Sequence, residues 1–303
     1  MMRTHTKARR GFSLVELITA LTILAIIGVA LTKMTITQTR TFQYENAGRR
    51  ARAASRGAMN IMLSDLRMAQ DIGAIDSLDT VNNRWIDIRV PIVFGVVCKV
   101  SGGNAELALV PADSFQAVTA KYGGYAIRNK TTSQYGYSLA SSSDNVTALD
   151  ASNTDCATAG YYADTLTVAG RKGTKVRVSP APPAGTAVGD VAFIWQHVRY
   201  QFDTSGVYKG RYGLYRRVRG KADTDSTFEE LIAPFSSSAR FKYFTDPPAY
   251  HDTALMVAPA NLNTIRGVQV FLPAESSDTI PGRTTPNRAN TTTSIFFKNT
   301  RVQ

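Results

Sequence analysis

The sequence has few of the side chains that enzymes and metal centres use most. Three histidines, His5, His197 and His251, and two cysteines occur among its 303 residues. They do not follow the spacing of a structural zinc site, and no glycine-rich loop precedes a Lys-Ser or Lys-Thr pair. A serine nucleophile elbow is also missing. We therefore expect no catalytic residues, no metal and no cofactor, and we rank a membrane-tethered periplasmic enzyme below a structural protein.

Compact acidic motifs for calcium are missing as well. Asp225, Asp246 and Asp252 lie in polar stretches where calcium could bind. A typical calcium loop instead places several acidic or amide side chains at alternate positions. The sequence leaves calcium open only as a weak alternative.

The chain does have one long apolar run near its N-terminus. The run begins with Phe12, directly after Arg9-Arg10-Gly11, and continues to Leu31. About 20 apolar residues are what a helix needs to cross the hydrocarbon core of a bilayer. One carboxylate, Glu16, lies inside the run, where a charge is costly and usually functional. The sequence therefore predicts a membrane helix with a functional Glu16.

This junction resembles the class III signal of type IV pilins and of the pseudopilins of type II secretion. The resemblance rests on the basic leader, Gly11, the aromatic Phe12 and the offset Glu16. It implies that a prepilin peptidase cuts between Gly11 and Phe12, that Phe12 is then methylated, and that Glu16 is the fifth mature residue. An ordinary secretory signal is instead cut after its apolar stretch. The alternative is an uncleaved anchor whose Glu16 reaches the membrane interface.

The same resemblance implies an assembly function and a location. When such helices bundle, Glu16 of one subunit would neutralise the Phe12 ammonium of a neighbour, because an unpaired buried charge is strongly unfavourable. The implied partners are the prepilin peptidase, other minor and major pilins or pseudopilins, and the inner-membrane assembly platform. Lys7, Arg9 and Arg10 favour a short cytoplasmic N-terminus. We expect a single-pass inner-membrane protein with a periplasmic head that later lies at a filament tip or in a pseudopilus.

The hydrophobic pattern divides the chain into four parts. They are a leader (1–11), a transmembrane or filament-core helix (12–34), an amphipathic continuation (35–72), and a β-rich head (73–303) with an insertion at about 100–190. Small or apolar residues recur at helical spacing in the third part, from Ala47 to Ala69. The head contains strand-like alternation, including separate strand candidates at 81–90 and 91–97. The predicted fold is α+β and pilin-like: a long N-terminal helix packed on a mainly antiparallel sheet.

The order of the strand candidates between about 190 and 300 resembles W-type minor pilins and J-type minor pseudopilins. This order includes the Leu214-Tyr215-Arg216 hairpin strand, Phe241-Lys242-Tyr243-Phe244, and the strand from Ile265 to Leu272. The resemblance implies a minor subunit that primes or caps assembly. It leaves open whether the filament is a type IV pilus or a type II secretion pseudopilus.

The two cysteines, Cys98 and Cys156, form a candidate disulfide. An oxidising periplasm permits the bond, which would close a loop of about 60 residues and restrict the unfolded chain. The alternative is two unpaired buried thiols.

Positive charge and aromatic residues meet at one predicted hairpin. The formal net charge is +12, and removal of the leader leaves +8, spread over the chain. The candidate partner surface consists of Arg199, Arg216, Arg217 and Arg219, next to several tyrosines. Such interleaving suits single-stranded nucleic acid, whereas simple strand alternation would direct the arginines to solvent or to an acidic partner. The alternative function is therefore a pilus-tip adhesin or a DNA-uptake subunit on the same anchor, with this hairpin or the 100–190 insertion as its binding surface.

Overall fold

The computed structural model describes residues 13–70, 73–110, 113, 122–130, 132–139, 146–149, 155–160, 167–168, 171–219, 227–245, 254–279 and 283–297. A 55-residue helix, α1 (Leu14–Met68), precedes a 13-stranded sheet whose strand pairs are antiparallel. The predicted α+β architecture, a long N-terminal helix followed by an antiparallel sheet, is confirmed.

The remaining helices and strands follow in chain order. They are β1 (Ile75–Leu78), β2 (Trp85–Ser101), β3 (Asn104–Leu109), β4 (Gly124–Arg128), β5 (Tyr135–Leu139), β6 (Val146–Ala148), the short helix α2 (Asp155–Thr158), β7 (Thr167–Val168), β8 (Arg171–Lys172), β9 (Thr174–Val178), β10 (Val191–Thr204), β11 (Tyr212–Arg219), β12 (Glu229–Phe235), β13 (Arg240–Thr245), a 3-10 turn (Leu262–Thr264), β14 (Ile265–Glu275) and β15 (Arg288–Phe296). Strands β7 and β8 pair with each other outside the large sheet.

Helix α1 has two halves with different surroundings. Every residue from 13 to 46 is exposed. From Ala47 onward one side is buried, through the residues Ala47, Gly48, Ala51, Ser55, Ala58, Met62 and Leu66. From Gly48 on, these positions are three or four apart, and Ala47 is four before Ala51, so they share one face of the helix. The helix ends at Met68, where Ala69 turns to an extended conformation and its N–H bonds to the Asp65 carbonyl at 3.1 Å. Residues 71 and 72, the end of the predicted continuation, lie outside the described residues.

The buried face of α1 packs on the sheet and forms the main core. Met62 and Leu66 are fully buried against side chains of β2 and β10 that alternate toward the helix. That set comprises Ile86, Ile88, Val90, Val198, Tyr200 and Phe202. Aromatic rings extend the core, with Phe202 and Phe241 at 5.3 Å between centroids. The fold of the head therefore depends on the second half of the helix, while the first half contributes nothing to this core.

Strands β2 and β10 are long enough to serve two cores. Their far ends pair with β3 and β4, and β3 in turn pairs with β9. A second cluster fills this end of the sheet, with Val97, Leu107, Tyr125 and Val176 among its buried members. Five strands from the segment 100–190, β3, β4, β5, β6 and β9, thus add to the same sheet, while β7 and β8 pair only with each other.

Pro91 lies within a single strand. The sequence separated 81–90 from 91–97, but β2 runs from Trp85 to Ser101, and Val81 is exposed outside it. Pairing with β10 shifts register between Ile194 and Trp195, where Trp195 lies opposite Pro91. A proline is tolerated in a sheet at such an irregularity, because its missing N–H falls where the ladder is already interrupted. The strand candidates at 81–90 and 91–97 are therefore parts of one strand.

Candidate functional site

The N-terminus of α1 is closed by a reciprocal pair of hydrogen bonds. The Ser13 hydroxyl accepts from the Glu16 N–H at 3.2 Å, and the Glu16 carboxylate accepts from the Ser13 N–H at 3.0 Å. This Ser-x-x-Glu arrangement is a capping box, which satisfies backbone donors that a helix start leaves free. Gly11 and Phe12 lie outside the described residues. The structure thus places Glu16 in the first turn, with its carboxylate directed back toward the start of the helix.

The helix that follows presents apolar side chains on all sides. Residues such as Leu17, Leu24 and Ile26 are more than half exposed. Within the described residues, α1 is the one helix long and apolar enough to cross a membrane. A helix that is apolar all round needs a lipid or protein environment. In the isolated chain, the first half of α1 therefore exposes an apolar surface that has no lipid or protein packed against it.

Threonines in this half satisfy their own hydroxyls. Thr19, Thr32 and Thr35 each donate to a backbone carbonyl four residues earlier, at 3.0, 2.8 and 2.9 Å. A hydroxyl bonded in this way can enter an apolar medium at little cost, because no polar donor is left unpaired. Glu16 is then the strongest polar group that the first two turns bring into such a medium.

The structure brings Cys98 and Cys156 together in a small buried cluster of their own, beside Ala108. Their Cα atoms are 4.7 Å apart, within the range of disulfides. Both residues are buried. The neighbouring residues also pair, with Lys99 Nζ 2.8 Å from Asp155 Oδ2. This Cα separation permits the predicted disulfide, whose formation stays a prediction.

Two of the four predicted surface arginines are held by carboxylates of the chain itself. Arg199 donates to both oxygens of Asp87, at 2.7 and 2.5 Å, and its guanidinium lies 4.2 Å from the centre of the Trp85 ring. Burial by itself would raise the pKa of Asp87, but hydrogen bonds from Arg199 and Ser77 outweigh it and lower that pKa. Arg199 is therefore part of a largely buried ion pair on the sheet face away from α1.

Arg216 is held on the opposite face of the sheet, against the helix. It donates to Asp65 of α1 at 3.0 Å and to the Tyr200 hydroxyl at 3.3 Å. Tyr200 in turn donates to Asp65 at 2.6 Å. The sequence analysis did not identify Asp65, because nothing in the chain near position 65 indicates a partner 151 residues away.

The other two arginines have different surroundings. Arg217 lies over the Phe228 ring, with its guanidinium carbon 4.5 Å from the ring centre. Arg219 lies opposite His197 in the pairing of β10 with β11. The four arginines thus do not share one face, since Arg216 points to the helix side while Arg199 and its pairing partner Arg217 point away.

The described part of the chain contains no group of three His, Cys, Asp or Glu side chains arranged for a metal ion. His251, Asp225, Asp246 and Asp252, considered above, lie outside that part. His197 is described: burial is the larger influence and lowers its pKa, while Asp76 opposes this. Its Nδ1 lies 3.5 Å from the Asp76 carboxylate, and its ring packs edge-on against the Trp195 ring.

Comparison with known proteins identifies the N-terminal segment. Residues 6–32 match the family profile described as the prokaryotic N-terminal methylation motif. No curated protein and no solved structure gives a match to the chain. The matched residues include Gly11, Phe12 and Glu16, and they end within the exposed apolar half of α1. This segment therefore carries a type IV pilin-like methylation motif, which implies processing by a prepilin peptidase and assembly with pilin-type subunits in general.

Proposed function

We propose that the chain is a minor pilin or pseudopilin that primes or caps assembly of a type IV pilus or a type II secretion pseudopilus. The observation that carries this proposal is the combination of the methylation motif with a fully exposed apolar half-helix. Such a surface is stable in the bilayer before assembly and among neighbouring helices afterwards. The large head, with its 13-stranded sheet, supports a terminal position, because bulky heads are harder to repeat along a filament.

In this proposal Glu16 has two successive partners. Within the chain its carboxylate caps the helix through the Ser13 N–H. In the filament the same carboxylate would meet the Phe12 ammonium of a neighbour, which is free only after the leader is cut. A charge in apolar surroundings gains most from an opposite charge at short range, so this pairing would fix the axial position of the incoming subunit.

The proposal is tested by the mass of the mature N-terminus in filaments prepared from the native host. We expect loss of residues 1–11, a methylated Phe12 and a copy number well below that of the main subunit. Gly11→Val should block processing and incorporation. Gly28→Ala is the matched control, since a Cβ at Gly28 has nothing within 4 Å. An intact leader in assembled material would contradict the proposal, and a copy number equal to the main subunit would contradict the minor role.

A further inference from the structure

Strand β15 is an edge of the large sheet. It pairs with β14 along its whole length, while β12 and β13 pair with the other side of β14. Among the described residues no strand pairs with the outer side of β15. An unpaired edge offers a row of backbone donors and acceptors to another chain.

The register shows which backbone groups face outward. The Phe297 N–H donates to the Arg266 carbonyl at 3.0 Å, and the Ser276 N–H donates to the Asn287 carbonyl at 2.8 Å. Bonded positions alternate along an antiparallel pair, so the odd-numbered residues of β15 bond to β14. The N–H and C=O groups of Asn290, Thr292 and Ser294 therefore point away from the sheet, and their side chains are exposed.

This edge lacks the usual protection against pairing. Natural edge strands carry proline, lysine, inward-pointing charges or bulges that prevent a second chain from adding. Residues 289–296 of β15 read Ala-Asn-Thr-Thr-Thr-Ser-Ile-Phe, with no proline, glycine or charge. The charged residue of the strand, Arg288, is bound to Glu275 at 2.8 Å. The pairing of β15 with β14 has no register shift. The outer side of the strand thus carries none of the features that oppose pairing with another strand.

Unpaired positive charge lies beside this edge. Helix α1 packs on β15, and Arg52 is on that flank, because Gly48 has both the Arg52 guanidinium and the Asn287 amide as neighbours, at 3.5 and 3.3 Å from a Cβ built there. Arg56 lies one turn further along the same side. Both are exposed, and neither has a carboxylate within 4 Å among the described residues. Arg50, on the opposite flank, instead lies 3.6 Å from Asp278.

We propose that β15 accepts an extended acidic segment of a different subunit as an additional strand. Main-chain hydrogen bonds would hold the segment on the edge, and carboxylates on its helix-facing side would meet Arg52 and Arg56. This mode of recognition draws affinity from the backbone and selectivity from alternate side chains. The surface adds a second contact, in the head, to the helix contact of the proposed function.

Membrane headgroups do not fit this surface. Arg52 lies 21 residues beyond Leu31, the end of the apolar run. At 1.5 Å per residue this is roughly 30 Å along the helix. Surface charges are screened over about 8 Å at physiological salt, so a bilayer that holds the apolar run does not reach Arg52.

A second copy of the chain does not fit either. Two β15 edges that pair antiparallel about a twofold axis would place their α1 helices in opposite directions. Both membrane halves could then not enter one bilayer, an argument that rests on the anchoring in the proposed function. The pairing would also place the unpaired arginines of both copies near each other, without acidic partners.

Site-specific photocrosslinking of the full chain in its native host tests the proposal. A photoreactive benzoyl-phenylalanine at Ser294 should link to a different protein, through a peptide that contains Asp or Glu. Thr292→Pro removes one outward N–H and leaves the bonds to β14 intact, so it should lower the yield about tenfold, as loss of one good contact does. Thr292→Val keeps that N–H and is the matched control. Arg52→Glu with Arg56→Glu should lower the yield several-fold, while Arg50→Glu should not.

The results separate this inference from the proposed function. Crosslinks to lipid or to another copy of the chain would overturn the inference. A crosslink yield that Thr292→Pro does not change would overturn it as well. Absence of any link in a chain that has lost residues 1–11 and entered filaments would overturn it too, and would leave the proposed function standing. If a chain with an intact leader forms the expected crosslink, the result would support strand addition at β15 and contradict the proposed function.

Discussion

Asp65 on the helix lies 2.6 Å from the hydroxyl of Tyr200 on the sheet, and this contact fixes the position of the helix on the head. Arg216 completes the cluster from β11. Burial raises the pKa of Tyr200, and Asp65 raises it further, so the hydroxyl stays protonated and donates its hydrogen bond at physiological pH. An apolar face alone would permit the helix to slide, whereas a directional polar cluster defines one position.

Removal of the shared acceptor in this cluster should cost more than removal of one donor. Asp65→Ala leaves both Tyr200 and Arg216 without their carboxylate, and we expect the free energy of unfolding to fall by about 2–3 kcal/mol. Tyr200→Phe leaves the Asp65–Arg216 pair in place and should cost about 1 kcal/mol. Urea unfolding of the detergent-solubilised protein measures both values. Equal losses in the two variants would show that the cluster does not act as a unit.

The two roles of Glu16 can be separated by matched substitutions. Glu16→Gln retains an oxygen for the Ser13 N–H but removes the charge, so the helix start should persist while assembly fails. Ser13→Ala retains the charge and removes a capping hydroxyl, at a cost of about 1 kcal/mol to the helix. We expect Ser13→Ala to be incorporated into filaments and Glu16→Gln to be processed but excluded. The measurement is the amount of each variant in sheared filaments relative to the membrane, and normal incorporation of Glu16→Gln would contradict the charge-pairing role.

The cysteine pair should be oxidised in the mature protein. Alkylation without reductant is expected to leave the mass of the unfolded protein unchanged, and alkylation after reduction should label both Cys98 and Cys156. The sequence separation of 58 residues is large enough for a cross-link to restrict the unfolded chain considerably. Cys98→Ala with Cys156→Ala should therefore lower the free energy of unfolding by about 2–4 kcal/mol. Labelling of either thiol without reductant would refute the bond.

The Asp87–Arg199 pair should give the head an acid-sensitive contribution to stability. The pKa of Asp87 is lower in the folded protein than its usual value, so the pair stabilises above about pH 4. This contribution is lost as the pH falls through the folded-state pKa, because the proton then neutralises the buried carboxylate. Arg199→Met keeps the aliphatic contact with Trp85 and removes the charge.

We expect the stability gap between wild type and Arg199→Met to be largest at neutral pH and to shrink below about pH 4. Urea unfolding across this pH range measures the gap. Arg67→Met, at an exposed position of α1, is the control and should leave stability nearly unchanged. A gap that is independent of pH would show that Arg199 acts through packing rather than charge.

Alternation along the chain located strands, but the extent of a strand depended on its pairing partner. The pattern around Val198 and Tyr200 indicated a strand, and β10 contains it. Pro91 suggested a boundary, yet β2 continues through it because the partner strand shifts register there. Such a register shift cannot be predicted from the residues near Pro91, because it occurs about a hundred residues away in β10.

The capping box could have been found from the sequence, because Ser13 and Glu16 are three residues apart at the start of an apolar run. The ion pairs could not. Arg199 and Arg216 were grouped by proximity along one hairpin, but they point to opposite faces of the sheet. Proximity in the chain predicts that two strands pair. The sheet face on which each side chain lies depends on the register of that pairing, and its ion-pair partner depends on which element covers that face.

The sequence by itself determined the N-terminal motif of this protein. This motif consists of the Gly11–Phe12 junction, Glu16 and an apolar helix, all of which depend on the local order of residues along the chain. The tertiary structure alone decided how the head uses its charges and edges. It placed Asp65 next to Tyr200, paired Arg199 with Asp87, and left Arg52 beside the outer side of β15, which no described strand pairs with. Local patterns encode which residues are apolar, but strand order and register determine which polar groups meet, because those contacts join residues far apart in the chain.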